Sequence, residues 1–284
     1  MRKVRTNTLI TLMLIAGVLI FVGDLVAEQN QKRQTNDGEE TEAVWEGSQA
    51  GESKTLTLKG LEYTFRWCPA GTFMMGSPED EKNRGNDESQ HSVTLSRGFW
   101  MLETEVTQKM WRSVMGDNPS EFKGDNLPVE CVSWYDCLKF TRRLNQEDGI
   151  PSGYRLRMPT EAQWEYACRA GSTGAYGGTD DLAALGWYDG NSKNKTHEVR
   201  GMQPNAWGLY DMHGNVWEWC LDWYGDYGEL PATDPRSSAS GTDRVYRGGS
   251  WYSHTWDCRS ANRNSYVPTY RHNYLGLRLV LIQR

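Results

Sequence analysis

The chain has 284 residues, a formal net charge of −6, 29 glycines and 13 tryptophans. Its lysines and arginines form no cluster inside the globular part, so it lacks the basic footprint of a nucleic-acid binder, and no nucleic-acid partner is expected. Residues 55–284 suffice for one domain with a sizeable buried core.

Arg2, Lys3 and Arg5 precede an apolar run from Leu9 to Gly23, which Asp24 stops. A basic flank before an apolar run of this length is an export signal. Residues 1–27 are therefore a signal peptide or an N-terminal membrane anchor. Cleavage after Ala27 places Leu25, not a small residue, at the −3 position, while Leu25–Ala27 extend the run toward the roughly 20 residues a span requires. Both alternatives stand. Either puts the remainder outside the cytoplasm, in the periplasm, secreted or on the cell surface of a bacterial envelope, with the membrane as a partner if the segment is retained. Residues 28–54 are polar, with Trp45 the one aromatic, and are expected to be a disordered linker.

Residues 54–69 alternate through Leu56, Leu58, Leu61, Tyr63, Phe65 and Trp67, which predicts a strand pair broken at Lys59-Gly60. His91–Leu95 and Gly98–Glu103 are two further short strands. Thr107 caps a helix to about Met115, stopped by Gly116. Ser133 caps a second from Trp134 to Asn145, with Asp136 in its first turn. Thr160 and Gln163 form a capping box for a third, which Gly171 ends. The rest shows no convincing helix. Asn205–Tyr224, with four tryptophans, fits neither a helical nor an alternating period and is expected to be an irregular, aromatic-pinned loop.

Six cysteines follow the linker: Cys68, Cys131, Cys137, Cys168, Cys220 and Cys258. In an oxidising compartment they allow up to three disulfides, with about 15 pairings open. No CxxC or Cys/His spacing points to zinc. His91, His197, His213, His254 and His272 are scattered singly, without the His-plus-carboxylate spacing of an iron site, and are expected on the surface.

Four blocks occur in order: PAGTFMMGS at 69–77, RMPTEAQWEYACRAG at 157–171, NAWGLYDMHGNVWEWCLDWY at 205–224 and RGGSW at 247–251. On these the chain, from about Leu56 to Arg284, closely resembles the formylglycine-generating-enzyme (sulfatase-modifying factor) family. The resemblance implies an α+β domain, C-type-lectin-like, with little regular secondary structure. It also implies a structural calcium ion held by the side chains of Asp211 and Glu218 and the carbonyls of Gly214 and Val216. Such a mixed oxygen set suits a hard cation. A second family calcium site needs an acid between Asn191 and His197, and Ser192–Thr196 supplies none.

Active members of that family hold copper(I) between two cysteines five residues apart and convert a sulfatase cysteine to formylglycine. Here the second position is Cys258, but the first is Ser253. A hydroxyl is a poor ligand for a soft cation, so the copper site should not form unless His254 replaces the missing thiolate. Ser250 and Trp217 match family residues beside the oxygen pocket.

From 252 to 274, residues Cys258–Arg263 look like a constant frame, continued by Leu275–Leu279. Between them lie Tyr252, Ser253, His254, Thr255, Asp257, Asn264, Ser265, Tyr266, Thr269, Tyr270, His272, Asn273 and Tyr274. Each is Asn or one adenine change from an Asn codon, which resembles the variable region of proteins diversified by retroelements. Tyrosine beside small polar residues also suits a binding surface. The expected function is ligand binding, to a protein or other surface ligand, through Trp251, Tyr252, Ser253, His254, Trp256, Asp257, Asn264, Tyr266, Tyr270, His272 and Tyr274. The alternatives are a copper-dependent oxidase using Cys258 and a regulatory module for envelope proteins.

Overall fold

The computed structural model describes residues 45–178, 181–227, 231–236 and 240–284. The chain divides into two units, Met1–Trp45 and Glu46–Arg284, and the structural account concerns the second. The expected export signal lies outside the described residues; within them no helix is long and apolar enough to cross a membrane.

The expected strand pair forms as β1 (Ser53–Leu58) and β2 (Leu61–Cys68), antiparallel with Leu58 opposite Leu61. Lys59 and Gly60 make the turn with φ of 53° and 72°. Strand β3 (Gly71–Met75) follows, then the two expected strands, β4 (His91–Leu95) and β5 (Phe99–Leu102). The three helices stand where their caps place them. In α1 (Gln108–Met115) the Thr107 hydroxyl accepts from Met110 N, and Gly116 ends the helix at φ 88°. Capping boxes open both α2 (Trp134–Leu144), through Ser133 and Asp136, and α3 (Glu161–Arg169), through Thr160 and Gln163. The left-handed turn after α3 begins on Ala170, one residue before Gly171.

Between these helices lies β6 (Tyr154–Arg157), and after α3 comes the one-turn α4 (Leu182–Leu185). The remaining strands are short: β7 (Trp217–Trp223), β8 (Ala232–Thr233), β9 (Arg244–Arg247), β10 (Arg263–Tyr266), β11 (Leu275–Gly276) and β12 (Val280–Gln283). A five-stranded sheet runs β1-β2-β5-β12-β6, a four-stranded one β10-β9-β7-β11, and a three-stranded one β3-β4-β8. The C-terminal strand β12 thus lies inside the first sheet, between β5 and β6.

Strand β7 corrects the expectation of an irregular loop across 205–224. Its first four residues, Trp217 to Cys220, are all buried, because residues on both faces of the strand are covered. Strands covered on both faces lose the alternation by which a strand is recognised. The stretch before it, Asn205–Val216, is irregular as expected.

Packed between the sheets and α3 is a core that includes Met75, Phe99, Trp164, Met212, Cys220 and Val280. Around it run buried arginine–carboxylate pairs. Arg247 binds Glu165, which also takes Arg169 at 2.8 Å. Arg263 grips Glu161 with two bonds of 2.7 and 2.9 Å, and Arg259 grips Glu88 at 2.7 and 2.8 Å. Arg278 holds Glu218 at 2.8 Å. Buried charges persist only when paired and hydrogen-bonded, and removing one partner typically costs about 3–5 kcal/mol. All six cysteines are free.

Candidate recognition face and the loops behind it

The turn after β9 is made by Gly248 and Gly249 at φ 102° and 77°. A Cβ at Gly249 would meet Cys258 Sγ at 2.4 Å, so only glycine lets the turn lie on that thiol. The turn aims the Ser250 amide at two groups. Ser253 Oγ accepts from it at 3.1 Å, and the Cys258 sulfur takes a backbone hydrogen bond from the same residue. Ser250 Oγ lies 3.1 Å from Ser253 Oγ. The family's two ligand positions therefore converge on one amide, with a hydroxyl where the first thiolate belongs.

Cys258 is fully buried, and burial pushes its thiol far above the ordinary value, leaving it protonated. A hydroxyl and a protonated thiol do not fit copper(I), which needs soft anionic donors. His254 supplies no replacement, because its ring is on the surface with Nδ1 bonded to Asp189 Oδ2 at 2.5 Å. Trp217 is buried beside Tyr246, ring centroids 5.1 Å apart.

Two histidines depart from the expected surface placement. His91 is buried, its Nδ1 donating to Ser89 O at 2.8 Å, and its ring lies against Tyr227. His213 is buried behind the Gly-Gly turn, donating Nδ1–H to Cys258 O at 2.7 Å and accepting from Gly177 N at 2.9 Å. Burial lowers its pKa to about 4, so it is neutral and ties the loop by hydrogen bonds.

The loop from Asp211 to Glu218 carries a charge imbalance. Asp211, at φ 57°, accepts from Arg200 N at 2.8 Å through Oδ2, while its buried Oδ1 meets no N–H donor. Glu105, which sequence reasoning did not select, lies beside it fully buried, its carboxyl hydrogen-bonded to that of Asp211 and meeting no N–H donor. Glu218 is occupied: Arg278 and the Trp164 indole nitrogen, at 2.7 Å, hold its carboxylate. Three buried acids thus share Arg278. Burial, and then Asp211, push Glu105 well above the usual carboxylate range; burial raises Asp211 to about 6. Two adjacent buried carboxyls that meet no cationic partner of their own are chemically suited to a hard cation, though among the described residues no three His, Cys, Asp or Glu side chains stand at metal-binding distance. Gly214 anchors the loop by donating to Gly248 O at 2.7 Å.

Exposure in the C-terminal segment follows the frame and its inserts. Cys258–Ala261, Arg263 and Leu275–Leu281 are buried. Of the thirteen residues lying between frame residues, only Ser253 is buried. Tyr266 stacks on Tyr270 (3.9 Å between centroids) and His272 on Tyr274 (3.9 Å), while the Tyr270 and Tyr274 hydroxyls meet at 2.8 Å. Tyr252 and Trp256 are 65% and 43% exposed, whereas Trp251 is buried against Phe122 and bonds Asn273 O. Trp251 therefore supports the face and the tyrosines present it. Asn264 is exposed on β10; Asp257 is half-buried and accepts from His254 N. Glu121, Phe122 and Asp189 join this face from distant parts of the chain, with Glu121 accepting from Asn273 at 2.9 Å. No local pattern announces them.

A family model for the sulfatase-modifying factor enzyme 1-like domain matches residues 59–282. The formylglycine-generating enzyme of Streptomyces coelicolor is 35% identical over 231 residues, covering 72% of this chain and 70% of that protein. Chaperone protein LppX of Paenibacillus barcinonensis is 33% identical over 223 residues, 61% of this chain and 75% of its own. Among solved structures, Treponema denticola variable protein 1 superposes with a TM-score of 0.74 at 33% identity, over 80% of this chain and 98% of that one. By motif order, fold and these matches, the chain belongs to the sulfatase-modifying factor (formylglycine-generating-enzyme-like) family, on the C-type-lectin-like α+β scaffold.

Proposed function

We propose that this chain is a recognition member of its family, binding a protein or other surface ligand through its C-terminal aromatic face and lacking the oxidase reaction. The observation that carries the reading is Ser253 on the Ser250 amide, where the chemistry requires a thiolate. Two further facts support it. Between Tyr252 and Leu281 the exposed aromatic and polar side chains fall in the inserts between buried frame residues, and the fold is similar at 33% identity to a protein known as a variable protein. Tyrosines give large contact area with few rotatable bonds, and the small polar residues around them adapt to a partner.

Calcium is part of the proposal. Asp211, Glu105 and the carbonyls of Gly214 and Val216 would hold it, neutralising the excess acids behind the Gly-Gly turn, while the expected Glu218 stays with Arg278 and Trp164. Export, and anchoring by residues 1–27 if they are retained, complete the reading.

Titration with copper(I) tests the chemical half: Ser253→Cys should bind tightly and the native chain should not. Formylglycine formed in a Cys-x-Pro-x-Arg peptide by the native, copper-loaded chain would overturn it. For the binding half, a photo-crosslinking residue at Tyr266 should capture a discrete partner in the source cells that one at Lys59 does not. Identical adducts from both positions, or none from either, would count against the face.

A further inference from the structure

A cavity of about 350 Å³ opens at the edge of the first and third sheets, away from the aromatic face. Its walls come from the turn between β4 and β5 (Ser96, Arg97), the end of β6 (Arg157), the cap of α3 (Thr160, Gln163) and the segment after β8 (Asp234, Arg236). Three arginines and one aspartate line it, a net charge of +2 within a chain whose overall charge is −6. Asp234 keeps its charge, already counted in that sum, and turns its oxygens to Ser96 N at 2.9 Å and Ser96 Oγ rather than to an arginine.

Arg157, half-buried, differs from the five buried arginines. Arg169, Arg247, Arg259, Arg263 and Arg278 each hold a carboxylate. Arg157 donates instead to Met158 O and Gln163 Oε1, both at 2.8 Å, and its buried Nε has no partner. Burial first, then the nearby Arg236, lower its pKa to about 10, while the charge of Asp222 acts in the opposite direction. Asp222 Oδ2 already accepts from Glu161 N. Among the described residues, Arg97 and Arg236 form no ion pair. A desolvated guanidinium without a counter-charge is costly, and its fork geometry matches oxyanions.

We propose that this cavity binds the dianionic phosphate or sulfate group of a small ligand, with Arg157 as the fixed donor and Arg97 and Arg236 closing on it from the rim. A dianion balances the charge of +2, which a single carboxylate does not. The volume lies at the small end of ligand cavities and holds more than the inorganic ion.

Calorimetric titration of the intact chain with inorganic phosphate, inorganic sulfate, glucose 6-phosphate, p-nitrophenyl sulfate and acetate tests this. The dianions (inorganic phosphate and sulfate, and glucose 6-phosphate) should bind, with the monoanions p-nitrophenyl sulfate and acetate about tenfold weaker or more, and Arg236→Gln and Arg97→Gln should each weaken the dianions by about tenfold. Both substitutions are at exposed positions and leave the packing intact. Glucose 6-phosphate binding more tightly than the inorganic ions identifies an organic ligand; the reverse order identifies the free ion as the ligand, and either supports the site. Arg157→Met should abolish the rise in melting temperature that phosphate gives the native chain. Dianions that neither bind nor raise that temperature by about 10 mM, a weak limit for a specific site, would overturn the proposal. So would equal binding by the Arg97 and Arg236 variants.

Discussion

Within the last forty residues, two kinds of segment alternate and obey different physics. The frame, Cys258–Arg263 and Leu275–Leu281, is buried and its arginines are matched to carboxylates on α3, on β7 and in the segment before β4. The inserts, from Tyr252 to Asp257 and from Asn264 to Tyr274, are exposed or half-buried apart from Ser253, and their tyrosines and His272 stack on one another. Stability therefore resides in the frame, and the proposed recognition in the inserts. A surface built this way tolerates exchange of side chains, because the charges that hold it are elsewhere.

The sharpest test of that division is to cut a frame pair. Arg263→Ala should destabilise the protein by about 3–5 kcal/mol in a chemical denaturation curve, since Glu161 stays buried with less charge opposite it. If Tyr266→Ala costs as much, the two regions are not energetically separate. Calcium comes next. Saturating calcium at about a hundred times its dissociation constant should add about 2.7 kcal/mol, and a chelator should remove it. That increment should vanish in Glu105→Gln with Asp211→Asn; if it persists, the ion sits elsewhere.

Acid should then loosen the frame before it disturbs the face. Burial raises the Glu88 carboxyl, but hydrogen bonds from Arg259 and Ser77 outweigh this and hold it below 4.5. With the folded value depressed, the unfolded chain binds more protons, so this stabilisation is complete above pH 4.5 and is lost as pH falls below it. Denaturation between pH 3 and pH 7 should show the loss in the native chain and a smaller one in Glu88→Gln. The smallest effect belongs to the inserts: Tyr270→Ala should cost about 0.5–1.5 kcal/mol, the scale of an aromatic pair, while removing ligand binding. Full retention of the Tyr266 photo-adduct in that variant would contradict the assigned role.

What could be read from the residues alone followed from local chemistry. Thr107, Ser133 and Thr160 each sit before a helical period, and the strand alternation from Leu56 to Trp67 is clean, so those elements were legible. Strand β7 was not, because burial on both faces erased its alternation; β8 and β11, two residues each, are too short to carry a pattern. In the site, Ser253 was legible by its spacing from Cys258. Glu105 was not, since only the fold sets it beside Asp211, and the buried roles of His91 and His213 were misjudged for the same reason.

The insert between β10 and β11 begins where Asn264 pairs with Tyr246 and ends where Trp217 N donates to Tyr274 O at 2.8 Å. Both anchors use backbone atoms, which every amino acid except proline can supply on the donor side. The loop is thus a cassette with fixed docking points. Doubling its length would add only about 0.6 kcal/mol of closure entropy, so foreign sequences spliced between positions 266 and 274 should be carried without unfolding the host. The domain is in that sense a ready display scaffold, with a geometry set by main-chain atoms and a chemistry left open.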